Sequence, residues 1–227
     1  MSSIDLGVYI SDSTSIESFI EIAARIGLKG FATQIEGPIS NEQGLSVAKR
    51  ADVLGRGLNS VKKQTTRIRS QTLIVAVPLT TVEIANWAAE DNRVDLLTLD
   101  PSRNNQIRES TARLAASSGT CLEIQFTPLL NSIGLNRSKI IKAYREAMKT
   151  ATDAGMLVVL SSGAKHPLNM RSSMAMRHIG LILGLESKLA EIVVSRTPFE
   201  ILERNQRRLS PEFVGEGIEI MQRGGNE

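Results

Sequence analysis

The side chains able to do chemistry are few and scattered. His166 falls in a loop and His178 in a predicted helix, neither with a neighbour at metal-ligand spacing, so both read as solvated or packed side chains. The single cysteine, Cys121, opens a predicted strand where a small apolar side chain is useful, and reads as buried and inert. No Gly-X-Gly-X-X-Gly, phosphate loop or Gly-X-Ser-X-Gly occurs; Arg56-Gly57 and Ser162-Gly163 are too short to count. Among the carboxylates, Asp12 and Asp100 stand at the ends of predicted strands, where they would either form an acid/base pair or cap the helices that follow. A hydrolase or phosphoesterase acting on an anionic metabolite would need Asp12, Glu36, Asp100 or Glu123 to converge. Glu123 and Gln125 share one face of a strand and Leu122, Ile124 and Phe126 the other. If the apolar face meets outer helices, the polar pair points into a barrel and needs internal hydrogen-bond partners.

Positive charge gives a stronger signal. From Lys49 to Arg69 the chain carries Lys49, Arg50, Arg56, Lys62, Lys63, Arg67 and Arg69 against a single acid, Asp52. On the helix predicted for residues 57–70, Lys62 and Arg69, and Lys63 and Arg67, fall at helical spacings and form a strip off the Leu58, Val61, Ile68 face. Cations so placed repel one another, which an external anion would relieve; the plainer alternative is a solvated face. Lys165 and Arg171 flank the turn Ser161-Ser162-Gly163-Ala164 and are further candidate anion contacts. Aromatic residues make up only 4% of the chain, so stacking on single-stranded bases is not the expected mode. Contact with the phosphates of a structured RNA suits the composition better, and phosphates carry no base identity.

The elements that must position these groups alternate. Strands are predicted at 4–10, 29–35, 46–54, 72–79, 94–99, 121–126, 157–160 and 191–195, with helices at 13–26, 57–70, 81–89, 105–117, 138–154, 174–184 and 198–209. Ser13 is a plausible cap for the first helix, and the polar linker after the second strand is too short for a full crossover helix. The run Leu157-Val158-Val159-Leu160, apolar at every residue, reads as a strand buried on both faces. Strand, crossover helix and parallel strand repeat, so the pattern predicts an α/β fold, a (β/α)8 TIM-like barrel as one domain over residues 1–209, with a tail over 210–227 that frays. A doubly wound open sheet is the alternative.

With 227 residues and 41% apolar composition the chain is long enough for one large core. It holds neither an 18-residue apolar run nor a basic start leading into an apolar segment, so neither a membrane span nor a secretory signal is expected, and the location expected is cytoplasmic.

The order of segments from Cys121 to Leu185 is more specific than any one of them. Phe126-Thr127-Pro128-Leu129-Leu130, a basic-faced helix, Val158 to Ala164, Pro167-Leu168, Arg171-Ser172 and Ile179 to Leu185 together resemble the ribonuclease P protein component 3 family, archaeal relatives of the thirty-kilodalton eukaryotic subunit. The resemblance implies a non-catalytic subunit of the ribonucleoprotein that removes 5′ leaders from precursor tRNA. RNA and its magnesium ions would carry the cleavage, and no cofactor is expected on this chain. Implied partners are ribonuclease P RNA, precursor tRNA, the component 2 protein and other protein subunits. This barrel type also resembles the polymerase and histidinol phosphatase superfamily, whose first strand carries a His-X-His pair; here that strand reads Asp5-Leu6-Gly7-Val8-Tyr9. One departure from component 3 follows Arg171, where the family's Pro and helix-opening Asp are replaced by Ser172-Ser173-Met174. If the Asp caps the helix, Ser172 or Ser173 would substitute.

Overall fold

The computed structural model describes residues 3–11, 16–35, 44–102, 106–215 and 218–219. Asp12, Ser13 and Glu36, considered above as caps or acids, lie outside them, as does the chain end beyond 219.

Seven parallel strands form one sheet in sequence order: β1 (Ile4–Asp5), β2 (Gly30–Thr33), β3 (Ser46–Asp52), β4 (Ile74–Pro78), β5 (Leu96–Leu99), β6 (Cys121–Gln125) and β7 (Val158–Ser161). The helices between and after them are α1 (Ile16–Arg25), α2 (Leu58–Arg69), α3 (Val82–Glu90), α4 (Glu109–Ser118), α5 (Thr127–Leu130), α6 (Gly134–Asp153), α7 (Ser173–Ile182), α8 (Ser187–Ile192) and α9 (Arg196–Leu209). Beyond β1 the chain stays extended, and Val8 bridges Ala164 in parallel, with the Tyr9 N–H donating to the Ala164 carbonyl at 2.8 Å. The first and last strands therefore meet, and the sheet curls into a TIM-like barrel with helices outside.

The strand expected at 191–195 does not form. The segment contains the β-branched pair Val193-Val194, but Leu189, Ala190, Val193 and Val194 are spaced as a helical stripe, and the last three are buried. The segment continues α8 instead, and Val8 and Ala164 join the sheet edges where an eighth strand would stand. Within the tail, β8 (Phe213–Gly215) pairs antiparallel with β9 (Ile218–Glu219).

Strand alternation sorts the core. Outward residues such as Val75, Val77, Leu97, Leu122, Ile124 and Phe126 lie under the helices. The lower interior of the barrel is filled by a separate apolar group that includes Ile4, Leu6, Ala32, Ile74, Leu96 and Val159, and α9 covers that end with Ile201 and Leu202. At the β2–β3 seam there is no room for a side chain, because a Cβ on Gly30 would stand 2.1 Å from the Ser46 carbonyl oxygen. Gly30→Ala is expected to push the strands apart and cost about 1 to 3 kcal/mol, read as a lower urea midpoint. An unchanged midpoint would mean that the seam parts freely.

Candidate functional site

The register that buries Leu122, Ile124 and Phe126 sends Glu123 and Gln125 inward, and Glu123 is fully buried. Its partner is Arg50 on β3, whose Nη1 and Nη2 donate to the two carboxylate oxygens at 2.6 and 2.7 Å. This is a bidentate pair with no exposure of either side chain. Thr98 and Ser161 also donate to Glu123, while Arg50 reaches the Leu6 carbonyl and Asp52. Burial opposes the Arg50 charge, but Glu123 and then Asp52 outweigh it and hold the guanidinium well above its ordinary pKa. Tyr9 lies across the top, accepting from Gln125 and Arg50, and burial raises its phenol pKa. Gly7 makes the arrangement possible, since a Cβ there would fall 2.6 Å from Ser161 Oγ and 2.8 Å from Glu123 Oε1.

Arg50 therefore leaves the set of candidate phosphate contacts: its alternation partners Ala48 and Asp52 face the barrel interior, and so does its own side chain. Arg69 leaves it too. Its Nη1 lies 2.6 Å from Asp95 Oδ2, and the buried Asp95 also accepts from Arg204, Asn205 and the Val75 N–H. Four donors tie α2, α9 and β4 to one carboxylate at the lower end of the barrel, so removing Arg69 subtracts a structural charge.

The remaining basic residues lie outside or at the edge of the barrel. Arg56, Lys63, Arg67 and Lys165 are exposed, whereas Lys49, Lys62 and Arg171 are partly so. Lys62 Nζ lies 5.9 Å from the centre of the Trp87 ring, a cation-π contact that fixes it between α2 and α3. Arg171 donates to the Leu168 and Met170 carbonyls and so braces its own loop. The turn after β7 is held by Ala164 N–H donating to Ser162 Oγ and by Thr127 Oγ1 donating to the Gly163 carbonyl, with Gly163 at φ +66° where a side chain would be strained. Ser172 caps α7 by accepting from the Ala175 N–H at 3.3 Å, the substitution that the departure after Arg171 required.

Among the described residues, Asp100 and Glu123 do not converge on a hydrolytic centre. Glu123 is committed to Arg50, and Asp100 accepts from the backbone and hydroxyl of Ser102 in the turn after β5. Among the described residues no three His, Cys, Asp or Glu side chains are grouped to hold a metal ion. Burial pushes the Cys121 thiol up to about 12, which leaves it a packing group. At the seam, burial raises the Asp5 pKa against the Ser162 and Gly7 hydrogen bonds that lower it, and Asp5 Oδ2 has no partner. Through Oδ1, which accepts from the Gly7 and Ser162 N–H groups at 3.1 Å each, the carboxyl links β1 to the turn after β7.

Above the polar network the barrel opens at its C-terminal end into a cavity of about 960 Å3, with Tyr9, Gln34, Asp52, Arg56 and Lys165 among its lining residues. Among the described residues no helix is long and apolar enough to cross a membrane.

Residues 2–210 match the family model for RNase P subunit p30. Curated relatives named ribonuclease P protein component 3 include those of Methanosarcina acetivorans, 30% identical over 62% of this chain and 59% of the relative, and Natronomonas pharaonis, 24% identical over 94% and 92%. The aligned part thus spans less than two thirds of the Methanosarcina protein. Among solved structures, a chain in the cryo-EM structure of archaeal ribonuclease P with mature tRNA superposes over the full length of both chains, with a TM-score of 0.81 at 20% identity.

Proposed function

Because the chain belongs to the RNase P subunit p30 family, we propose that it is a protein subunit of ribonuclease P, supporting RNA-catalysed removal of 5′ leaders from precursor tRNA. The match to the family model across residues 2–210 carries this reading. Its partners are the ribonuclease P RNA, precursor tRNA, the component 2 protein and further subunits. Magnesium acts with the RNA, the chain supplies no catalytic group, and the location is cytoplasmic. The barrel's inward acids and arginines hold the scaffold. RNA phosphates are met by Lys49, Arg56, Lys62, Lys63 and Arg67 on one side and by Lys165 near the mouth, with Arg171 shaping that loop.

The test is reconstitution of precursor-tRNA cleavage with the cognate RNA and partner proteins, with and without this chain. Cleavage at limiting magnesium is expected to fall when the chain is omitted, because a basic scaffold replaces part of the cation demand of RNA folding. Indifference of rate and magnesium requirement to the chain would overturn the proposal.

A further inference from the structure

The start of α6 stands clear of the barrel. Every residue from 133 to 139 is exposed, and the buried stripe of Tyr144, Ala147, Met148 and Ala151 begins well below them. At about 1.5 Å of rise per residue, the unsupported end is about 9 Å long. Its residues also run against what an isolated helix end favours. Ile133 occupies the N-cap, where Ser, Thr, Asn or Asp would accept a helix N–H, and no side-chain cap bond forms. The first turn holds no acid, and Arg137 and Lys139 place positive charge where the helix dipole opposes it. Ile133 and Leu135 are the most exposed large apolar side chains among the described residues, at 79% and 71%. Leu135 precedes Tyr144 by about two and a half turns and so points the opposite way, which means that it does not continue the buried stripe. Side chains that weaken their own helix and bury nothing mark a surface shaped by something outside the chain.

The charge around this end has one sign. No acid occurs from 126 to 145 or from 162 to 185, the stretches that hold the loops after β6 and β7, the upper half of α6 and all of α7. Arg137 Nε donates to the Ser132 carbonyl, and neither Arg137 nor Lys139 has a carboxylate partner among the described residues. Thr127 Oγ1 ties the two loops together by donating to the Ser162 and Gly163 carbonyls. Beyond β7, Leu168 and Met174 are exposed to nearly the same degree as Leu135, which gives the rim the breadth that a stable interface needs. A phosphate backbone would answer the charge, but it offers nothing to bury Ile133 and Leu135. We propose that the free end of α6 docks on a protein that presents an apolar cleft edged by carboxylates. Ile133 and Leu135 enter the cleft, while Arg137 and Lys139 meet the acids. The identity of that protein rests on the function proposed above, which makes it a protein subunit of the same ribonucleoprotein.

Calorimetric titration of the full-length chain with the component 2 protein and with each further protein subunit, one at a time, tests the surface. Ile133→Ser supplies the missing cap, so its urea midpoint should rise. Its affinity for one subunit should nevertheless fall about tenfold, the loss typical of a buried apolar anchor. A purely structural role would move the two readings together. Leu135→Gln keeps a good helix former and should weaken the same subunit about as much. Arg137→Gln with Lys139→Gln should slow association with that subunit and flatten its dependence on salt. Because Ile133→Ser and Leu135→Gln leave the charge unchanged, their binding of ribonuclease P RNA should stay that of wild type. Subunit affinities unchanged in both apolar variants would overturn the inference and leave the ribonuclease P reading intact, since wild type still binds its subunits. Weaker RNA binding by these variants, with subunit binding intact, would make the end of α6 an RNA contact and overturn protein docking. If wild type binds neither a protein subnit nor the RNA, the ribonuclease P reading falls and the docking surface falls with it.

Discussion

Glu123→Ala is expected to destabilise the protein by about 3 to 5 kcal/mol, because it leaves the Arg50 guanidinium in the barrel with only Asp52 to balance it. The penalty comes from stranding a charge, and an unbroken pair need not be worth as much. Arg50→Met combined with Glu123→Leu removes both charges while keeping similar volume, so the double variant should recover a substantial part of the loss. Thr98, Ser161 and Gln125 also donate to Glu123, and their unmet hydrogen bonds set how far the recovery falls short of wild type. Urea unfolding of wild type, both single variants and the double variant measures the coupling. A loss below about 1 kcal/mol for Glu123→Ala would show that water reaches Arg50 and that the interior is not closed.

That prediction depends on a placement only half legible in the sequence. The alternation Leu122, Ile124, Phe126 against Glu123, Gln125 sent the acid inward, and a buried carboxylate requires a partner. The partner was concealed because Arg50 sits in the densest basic run, where composition argues for the surface. The period-two pattern held the countersignal: Ala48, Arg50 and Asp52 share a face, and small Ala48 suits the narrow interior of a barrel. Arg69 was concealed differently. Its partner Asp95 stands 26 residues away, just before β5 and beyond β4 and α3, and no local spacing shows that the fold will bring them within 2.6 Å. The segment 191–195 is less legible than the longer helices, since Val193-Val194 satisfies a strand's composition while its neighbours supply helical spacing. Burial of one stripe decided for the helix, a tertiary effect that propensity does not contain.

With Arg50 and Arg69 assigned to the scaffold, the RNA contact expected of α2 rests on Lys62, Lys63 and Arg67, and replacing all three by Ala is expected to change the salt dependence of binding sharply. Each phosphate neutralised by a cation releases condensed counterions, so three lost contacts at roughly 0.7 to 0.9 each should lower the slope of log affinity against log salt by about 2.1 to 2.7. The weakening should be uniform across RNA sequences, since phosphates carry no base identity. Folding should change little: Lys63 and Arg67 are exposed and Ala favours the helix, although loss of the Lys62 contact with Trp87 will cost about 0.5 to 1 kcal/mol. Arg69→Ala should behave in the opposite way. It removes one of the donors on buried Asp95, so the urea midpoint should fall while the salt slope stays near that of wild type. Superimposable slopes for wild type and the triple variant would mean that the strip does not touch RNA and docks an acidic protein surface or only water. A shallower slope for Arg69→Ala would return that arginine to the phosphate contacts and show that Asp95 holds it only until RNA arrives.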